Sequence, residues 1–372
     1  MASLSMGAAA RFSAVTTLLL ASTLDAFVVT PGVARGFVPP THAGTWMPAA
    51  GSTRTSARAA RQSTSGRSCV LGMKMEVGPG SYVALVTPME LDGRVDEEAL
   101  RGLLRWHLEC GTDGIVSLGT TGEASVLSVA ERQLVLDITM EEVGGKVPVV
   151  AGTSSVNPLV VIEQSVQAAE CGADAVLVVT PAYVKPSQEG LVKFYEMVAD
   201  KGALPVVLYN VPSRTCVDMG TPAIAELAKH PRIVGLKDAT GDMSRIGELK
   251  AACPGDFLFY SGDDASGMEY LLKGGDGLIS VSADVVPREM CEIVKACRDG
   301  NRQAAEAINN QVIELHTSLF VQGNPVTVKY ALARMGKILD SLRVPLVPMD
   351  AKYRPEVDKA LEATGLLSPS RL

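Results

Sequence analysis

Histidine is scarce in this chain: four in 372 residues, and only His107, His230 and His316 lie beyond residue 75. Each of these three falls in or beside a helical pattern and none ends a strand, so a catalytic metal held by histidines is not expected. The seven cysteines include no C-x-x-C pair. An odd number scattered through predicted helices and loops suits free, mostly buried thiols in a reducing compartment, not a disulfide framework. No G-x-G-x-x-G follows the first apolar run, which weighs against a dinucleotide-binding sheet. Acids are nearly missing at the start, where Asp25 alone faces seven basic residues up to Met75. The remainder then carries −13 of the overall −7 and has no basic runs, which argues against nucleic acid as a partner.

Residues 1–75 read as a leader. Their one apolar stretch, Val15 to Leu20 running on to Leu24, is too short to span a bilayer. Arg11 before it and Ala21 and Ser22 after it suit a secretory-type apolar region. An Arg/Ser/Thr/Ala-rich, acid-poor segment follows, the composition of an organelle transit peptide. In series, with Ala26-Phe27 at the junction, the two resemble the bipartite presequences of algae with complex plastids. That implies a plastid stromal protein with no membrane segment in its mature form; a basic tail kept in the mature protein is the alternative.

From Ser81 onward, eight apolar runs alternate with longer amphipathic segments: Tyr82–Val86, Gly114–Leu118, Val147–Ala151, Ala175–Val179, Pro205–Tyr209, Ile233–Lys237, Phe257–Ser261 and Gly277–Val281. Each is rich in Val, Ile or Leu and nearly continuous, as strands covered on both faces should be. Helical patterns such as Asp96–Cys110, Val129–Glu142, Leu159–Cys171, Glu189–Lys201, Thr221–Lys229 and Met243–Ala252 separate them. Eight βα units in this length read most simply as a (β/α)8 TIM barrel over residues 76–300, with an open doubly wound sheet as the competitor. After Val286 the strands stop, and the patterns Arg288–Arg298, Ala304–Phe320, Val326–Leu339 and Pro355–Ala363 suggest the last barrel helix and a small C-terminal helical extension over 301–372.

In such a barrel the chemistry sits where strands end. The runs Leu204-Pro-Val-Val-Leu-Tyr209 and Arg232-Ile-Val-Gly-Leu-Lys237 each end in one ionisable side chain, one strand-plus-helix unit apart. Tyr209 and Lys237 should therefore stand side by side. A lysine attacking a carbonyl must be neutral, which its ordinary pKa of about 10.4 does not allow near pH 7. Desolvation at the barrel mouth would lower it, and a tyrosine hydroxyl can move its protons. Strand two runs into Gly119-Thr-Thr-Gly-Glu123. Hydroxyls at Thr120 and Thr121 between glycines suit a small carboxylate such as that of an α-keto acid, and equally suit a tight turn with capping threonines.

Together, Gly119-Thr-Thr-Gly-Glu123, Tyr209-Asn-Val-Pro-Ser-Arg-Thr215, Gly235-Leu-Lys-Asp-Ala-Thr-Gly241 and Ser261-Gly-Asp-Asp264 resemble the dihydrodipicolinate synthase family. The match is collinear from about Gly80 to the C-terminus and includes Asn324-Pro325 and Val328-Lys329. The arginine context is its sharpest element, because the lysine and tyrosine are shared by other pyruvate lyases. The resemblance implies a Schiff base between Lys237 and pyruvate, and a proton relay of Tyr209, Thr121 and Tyr183, with Tyr183 entering a neighbouring subunit's site. It implies an enamine attacking L-aspartate 4-semialdehyde, whose carboxylate Arg214 holds, and backbone groups near Gly262 and Ile279 completing the pyruvate pocket. No metal or cofactor is implied, and the oligomer is a homotetramer, a dimer of tight dimers. Another Schiff-base lyase, such as N-acetylneuraminate lyase or a keto-deoxy-sugar-acid aldolase, is the runner-up. A non-catalytic binding barrel would be expected to lack Lys237 or Tyr209, and both are present.

One departure concerns regulation. Many family members bind inhibitory lysine through an asparagine and a glutamate on the third βα loop and helix. The matching positions here are Val156 and Val160, with Ala182 and Val129 at two further positions. Valines cannot hold an ammonium, so the chain is expected to be insensitive or weakly sensitive to lysine. Asn157, one residue on from Val156, would supply an amide if the loop shifted.

Overall fold

A computed structural model describes residues 74–367, so the leader reading lies outside the described residues except at its last two positions. Eight parallel strands close into a barrel in sequence order. They are β1 (Gly80–Ala84), β2 (Gly114–Ser117), β3 (Val149–Gly152), β4 (Ala175–Val179), β5 (Val206–Asn210), β6 (Ile233–Asp238), β7 (Leu258–Ser261) and β8 (Gly277–Ser280). Around them run α1 (Glu97–Cys110), α2 (Val129–Val143), α3 (Pro158–Cys171), α4 (Gln188–Lys201), a single turn α5 (Pro212–Thr215), α6 (Thr221–Leu227), α7 (Arg245–Ala252), α8 (Asp264–Leu272) and α9 (Pro287–Arg298). The extension holds α10 (Arg302–Ser318), α11 (Val326–Arg334) and α12 (Arg354–Ala363). The (β/α)8 TIM barrel with a C-terminal helical extension is thus what the chain forms.

Local chemistry sets the element ends. Asp96 caps α1 by accepting from the Ala99 amide at 2.9 Å, and Ser128 with Glu131 forms a capping box on α2. α11 stops at Arg334, five residues short of the apolar pattern's end at Leu339. The reason is Gly336, whose φ of 71° is left-handed and turns the chain out of the helix. The sequence pattern also places β1 two residues late, because Gly80 and Ser81 pair with Gly277 and Leu278 across the barrel closure.

Alternation along each strand makes two cores. Tyr82, Ala84, Val116, Val150, Leu177, Val207 and Ile279 fill the barrel interior, while Val83, Ile115, Val176, Leu208 and Leu236 pack outward on the helices. One irregularity matters for the site. Val206 pairs with Ile233, but Val207 pairs with Gly235, so the ladder skips Val234. That bulge brings Tyr209 opposite Lys237, where an unbroken ladder would pair it with the outward-facing Leu236.

Candidate active site

Tyr209 and Lys237 are register partners on β5 and β6, as their spacing predicts. Both are buried, and the Lys237 ammonium lies over the phenol ring, 4.6 Å from its centroid. Desolvation pulls the lysine's pKa down to about 8; the Asp264 carboxylate opposes this and the Arg214 guanidinium adds to it. Roughly a tenth of the amine is then neutral at pH 7, against less than a thousandth for an ordinary lysine. Burial pushes the Tyr209 phenol up, while Arg214 and a hydrogen bond with Thr120 pull it back. The residues that follow the pair, Asn210 and Asp238, do framework work. Asn210 donates to Asp218 at 2.8 Å, and Arg245 bridges Asp238 and Asp218 at 3.0 Å each.

The pair floors a cavity of about 160 Å³, room for a molecule of a few heavy atoms. Its wall includes Thr120, Thr121, Arg214, Gly262 and Asn324. Gly262 has a steric reason to be glycine: an added Cβ would stand 2.6 Å from the Lys237 Cε and 2.9 Å from the Ala239 Cβ. The two threonines divide their work differently from expectation. Thr120 is bonded to the Tyr209 phenol, whereas Thr121 accepts from the Asn324 side-chain amide at 2.9 Å. Of the two threonines, Thr120 is the one whose side chain meets the phenol. Ile279 sits lower, in the barrel interior, and Val281 supplies the wall after β8. Tyr183 does not reach this chain's own cavity; it is 94% exposed, at a left-handed φ of 73°.

The glycine-threonine turn is held from the extension. Glu123 and Lys329 form an ion pair at 2.5 Å with both side chains fully buried, and Glu123 also accepts from the Arg343 amide at 3.1 Å. Asn324 is the site residue whose role the sequence did not disclose. Its only signal is its place in the collinear match, with nothing in its own pattern to bring it to a strand end 203 positions away. Among the described residues no group of three or more His, Cys, Asp or Glu is placed to hold a metal ion, and no helix is long and apolar enough to cross a membrane.

A deep, small, polar-walled pocket over a desolvated lysine is a carbonyl-condensing arrangement, and comparison with known proteins narrows it. The family model described as the dihydrodipicolinate synthetase family matches residues 79–364. The chain belongs to this family. A 4-hydroxy-tetrahydrodipicolinate synthase of Methylococcus capsulatus is 46% identical over 288 residues, 77% of this chain and 99% of the relative. The chloride-inhibited dihydrodipicolinate synthase of Acinetobacter baumannii, solved with pyruvate, is 43% identical, with a TM-score of 0.77 over 78% of this chain and all of that one. The Cyanidioschyzon merolae enzyme, solved with lysine bound, is 34% identical, with a TM-score of 0.75 over 78% of this chain and 99% of that one.

Proposed function

We propose that this protein is a lyase that condenses pyruvate with L-aspartate 4-semialdehyde to 4-hydroxy-tetrahydrodipicolinate, the first committed step of lysine synthesis through diaminopimelate. The observation that carries this reading is the desolvated Lys237 amine against Tyr209, beneath a pocket the size of an α-keto acid with Arg214 at its wall. The neutral amine adds to pyruvate C2, and loss of water leaves a protonated imine. Tyr209 and Thr120 pass protons to and from the departing oxygen, with Tyr183 of a neighbouring subunit completing the chain to solvent. The imine withdraws the electrons released when the methyl group loses a proton, so no metal is required. The resulting enamine attacks the aldehyde carbon, whose oxygen gains a proton and becomes the 4-hydroxyl. The semialdehyde's own amine then displaces Lys237 from C2 and closes the ring. Thr121 holds the pyruvate carboxylate, and Arg214 holds that of the semialdehyde in a bidentate contact a lysine could not reproduce.

Three finer readings belong to this proposal. The assembly is a homotetramer of tight dimers; in support, Val129, Val156, Leu159, Tyr183 and Val184 stand exposed around α2, α3 and the loop after β4. The leader delivers the protein to the plastid stroma, on the strength of its two-part composition. Lysine inhibits weakly or not at all. The support for this is local: valines stand at positions 156 and 160, and Asn157 is committed to capping α3 through the Leu159 amide at 3.0 Å, although the surface cavity that Val129 and Val160 line also holds Arg132, Gln164, Gln167, Glu163 and Glu170. Half-inhibition at submillimolar lysine would overturn that last reading.

The deciding experiment supplies the full chain with both substrates, adds dihydrodipicolinate reductase and follows NADPH oxidation. Turnover that vanishes in Lys237→Ala is expected. Absence of turnover, with borohydride still trapping pyruvate on Lys237, would move the aldehyde partner to a sugar acid.

A further inference from the structure

Asn324 stands at the meeting point of the groups that would hold the two substrates. Its Nδ2 donates to the Thr121 hydroxyl at 2.9 Å, and its backbone carbonyl accepts from Arg214 Nη2 at 3.3 Å. The residue is 8% exposed and its side chain forms part of the cavity wall. Yet its Oδ1 is buried with no hydrogen-bond partner. Buried amide oxygens are almost always paired, so an orphan one on a residue that lines the cavity points to a donor that arrives when the pocket is filled.

The second substrate brings such a donor. L-Aspartate 4-semialdehyde carries an ammonium and a carboxylate on the same carbon. A carboxylate held by Arg214 therefore keeps its ammonium two bonds from the carboxylate carbon, within reach of the residue whose backbone Arg214 already touches. The cavity wall contains a single carboxylate as a rival acceptor, Asp263. Its Oδ2 is taken up in capping α8, accepting from the Ser266 amide at 3.1 Å and the Ser266 hydroxyl at 2.5 Å. We infer that Asn324 is a specificity-determining residue: its side-chain oxygen binds the α-ammonium of the semialdehyde and sets this substrate apart from aldehydes that lack an amino group. The inference rests on the substrate assignment above and extends it to the nitrogen. A second consequence follows from the Thr121 contact. One amide touches the hydroxyl assigned to pyruvate and the amine that must later reach pyruvate C2, so it holds the two reactants on one side of the site.

Sites built to hydrogen-bond a substrate N–H reject the analogue without it far more strongly than apolar pockets reject a missing methylene. Succinate semialdehyde is that analogue, the same chain without the amino group, and serves as a competitive inhibitor against the natural substrate at saturating pyruvate. In Asn324→Leu the KM for L-aspartate 4-semialdehyde is expected to rise by about 10- to 100-fold, while the Ki of succinate semialdehyde stays within about twofold of the parent's. Asn324→Asp keeps an acceptor at the same place and is expected to return the KM to the parent's range or below it. Equal rises in KM and Ki would show that Asn324 acts only by supporting Arg214, and would overturn the inference. So would a KM in Asn324→Asp as high as in the leucine variant, or a selective rise in Asp263→Asn with none in Asn324→Leu. A parent enzyme that traps pyruvate on Lys237 but leaves the semialdehyde untouched would overturn the substrate assignment and this inference together; parent turnover with unselective variants would overturn this inference alone.

Discussion

A lysine held at 5% exposure with a pKa near 8 is useful to catalysis and unfavourable to folding. Moving its pKa down from 10.5 to about 8 corresponds to about 3 kcal/mol lost by the native state below pH 8, where the lysine is charged in both the native and the unfolded chain. Replacing it by an apolar side chain of similar length removes that loss. Lys237→Met is therefore expected to abolish Schiff-base formation and to raise unfolding free energy at pH 7 by up to about 3 kcal/mol, less whatever packing the thioether fails to match. The pH dependence has a definite sign. Between pH 8 and 10.5 the unfolded chain holds the proton that the native lysine has given up, so parental stability contributed by this group rises with pH through that window. Below pH 8 both forms are charged and the difference is constant. Denaturant unfolding of parent and variant at pH 7 and pH 9.5 should show the gap narrowing at the higher pH; a constant gap would place the lysine in a wetter environment than the one described. The same titration predicts that borohydride trapping of pyruvate accelerates from pH 6.5 to 8.5 and then levels.

Strain and support gather in the loops that follow the strands. The non-glycine residues with left-handed φ among those described are Leu118, Glu123, Tyr183, Lys185 and Cys216, which follow β2, β4 and β5 on the face that carries the site. Glu123, at a φ of 53°, is held there by Lys329 of α11. Removing one partner of a fully buried pair leaves an uncompensated charge, while removing both leaves only a packing change. Lys329→Met should accordingly destabilise the protein by about 3–5 kcal/mol, and Glu123→Gln/Lys329→Met should recover most of that, measured as denaturant midpoints. This coupling shows where the sequence was readable and where it was not. The eight strands, their helices and the Lys237–Tyr209 pairing could be read because apolar periodicity and strand-end position carry that information locally. The bulge at Val234 could not, because it is a property of two strands at once. Nor could the different partners of Thr120 and Thr121, which depend on how one loop is packed, or the reach of Asn324 and Lys329 across some two hundred positions, which only the packed extension brings about.

For the whole molecule, the decisive residue is the one that this chain's own cavity does not use. Tyr183 projects into solvent from the loop after β4, beside exposed Val184, and Val156 and Leu159 at the start of α3 are exposed too. The homodimer proposed above, in which each copy lends its tyrosine to the other, would cover exposed apolar side chains of this kind. Sharing of this kind has a signature that no single variant can give. Lys237→Ala is inactive through its own amine, and Tyr183→Phe is impaired through the hydroxyl it should lend. When the two variants are dissociated, mixed in equal amounts and reassembled, half of the dimers are hybrids, and each hybrid holds one site with an intact lysine and an intact borrowed tyrosine. Activity is expected to return to about a quarter of the parent's, while each variant treated alone stays low. If Tyr183 instead served its own chain, every hybrid would pair one site without lysine with one without the hydroxyl, and mixing would restore nothing. Sedimentation of the reassembled protein reports whether hybrids have formed, so a flat activity at full reassembly would place the relay within a single chain and remove the dimer from the mechanism.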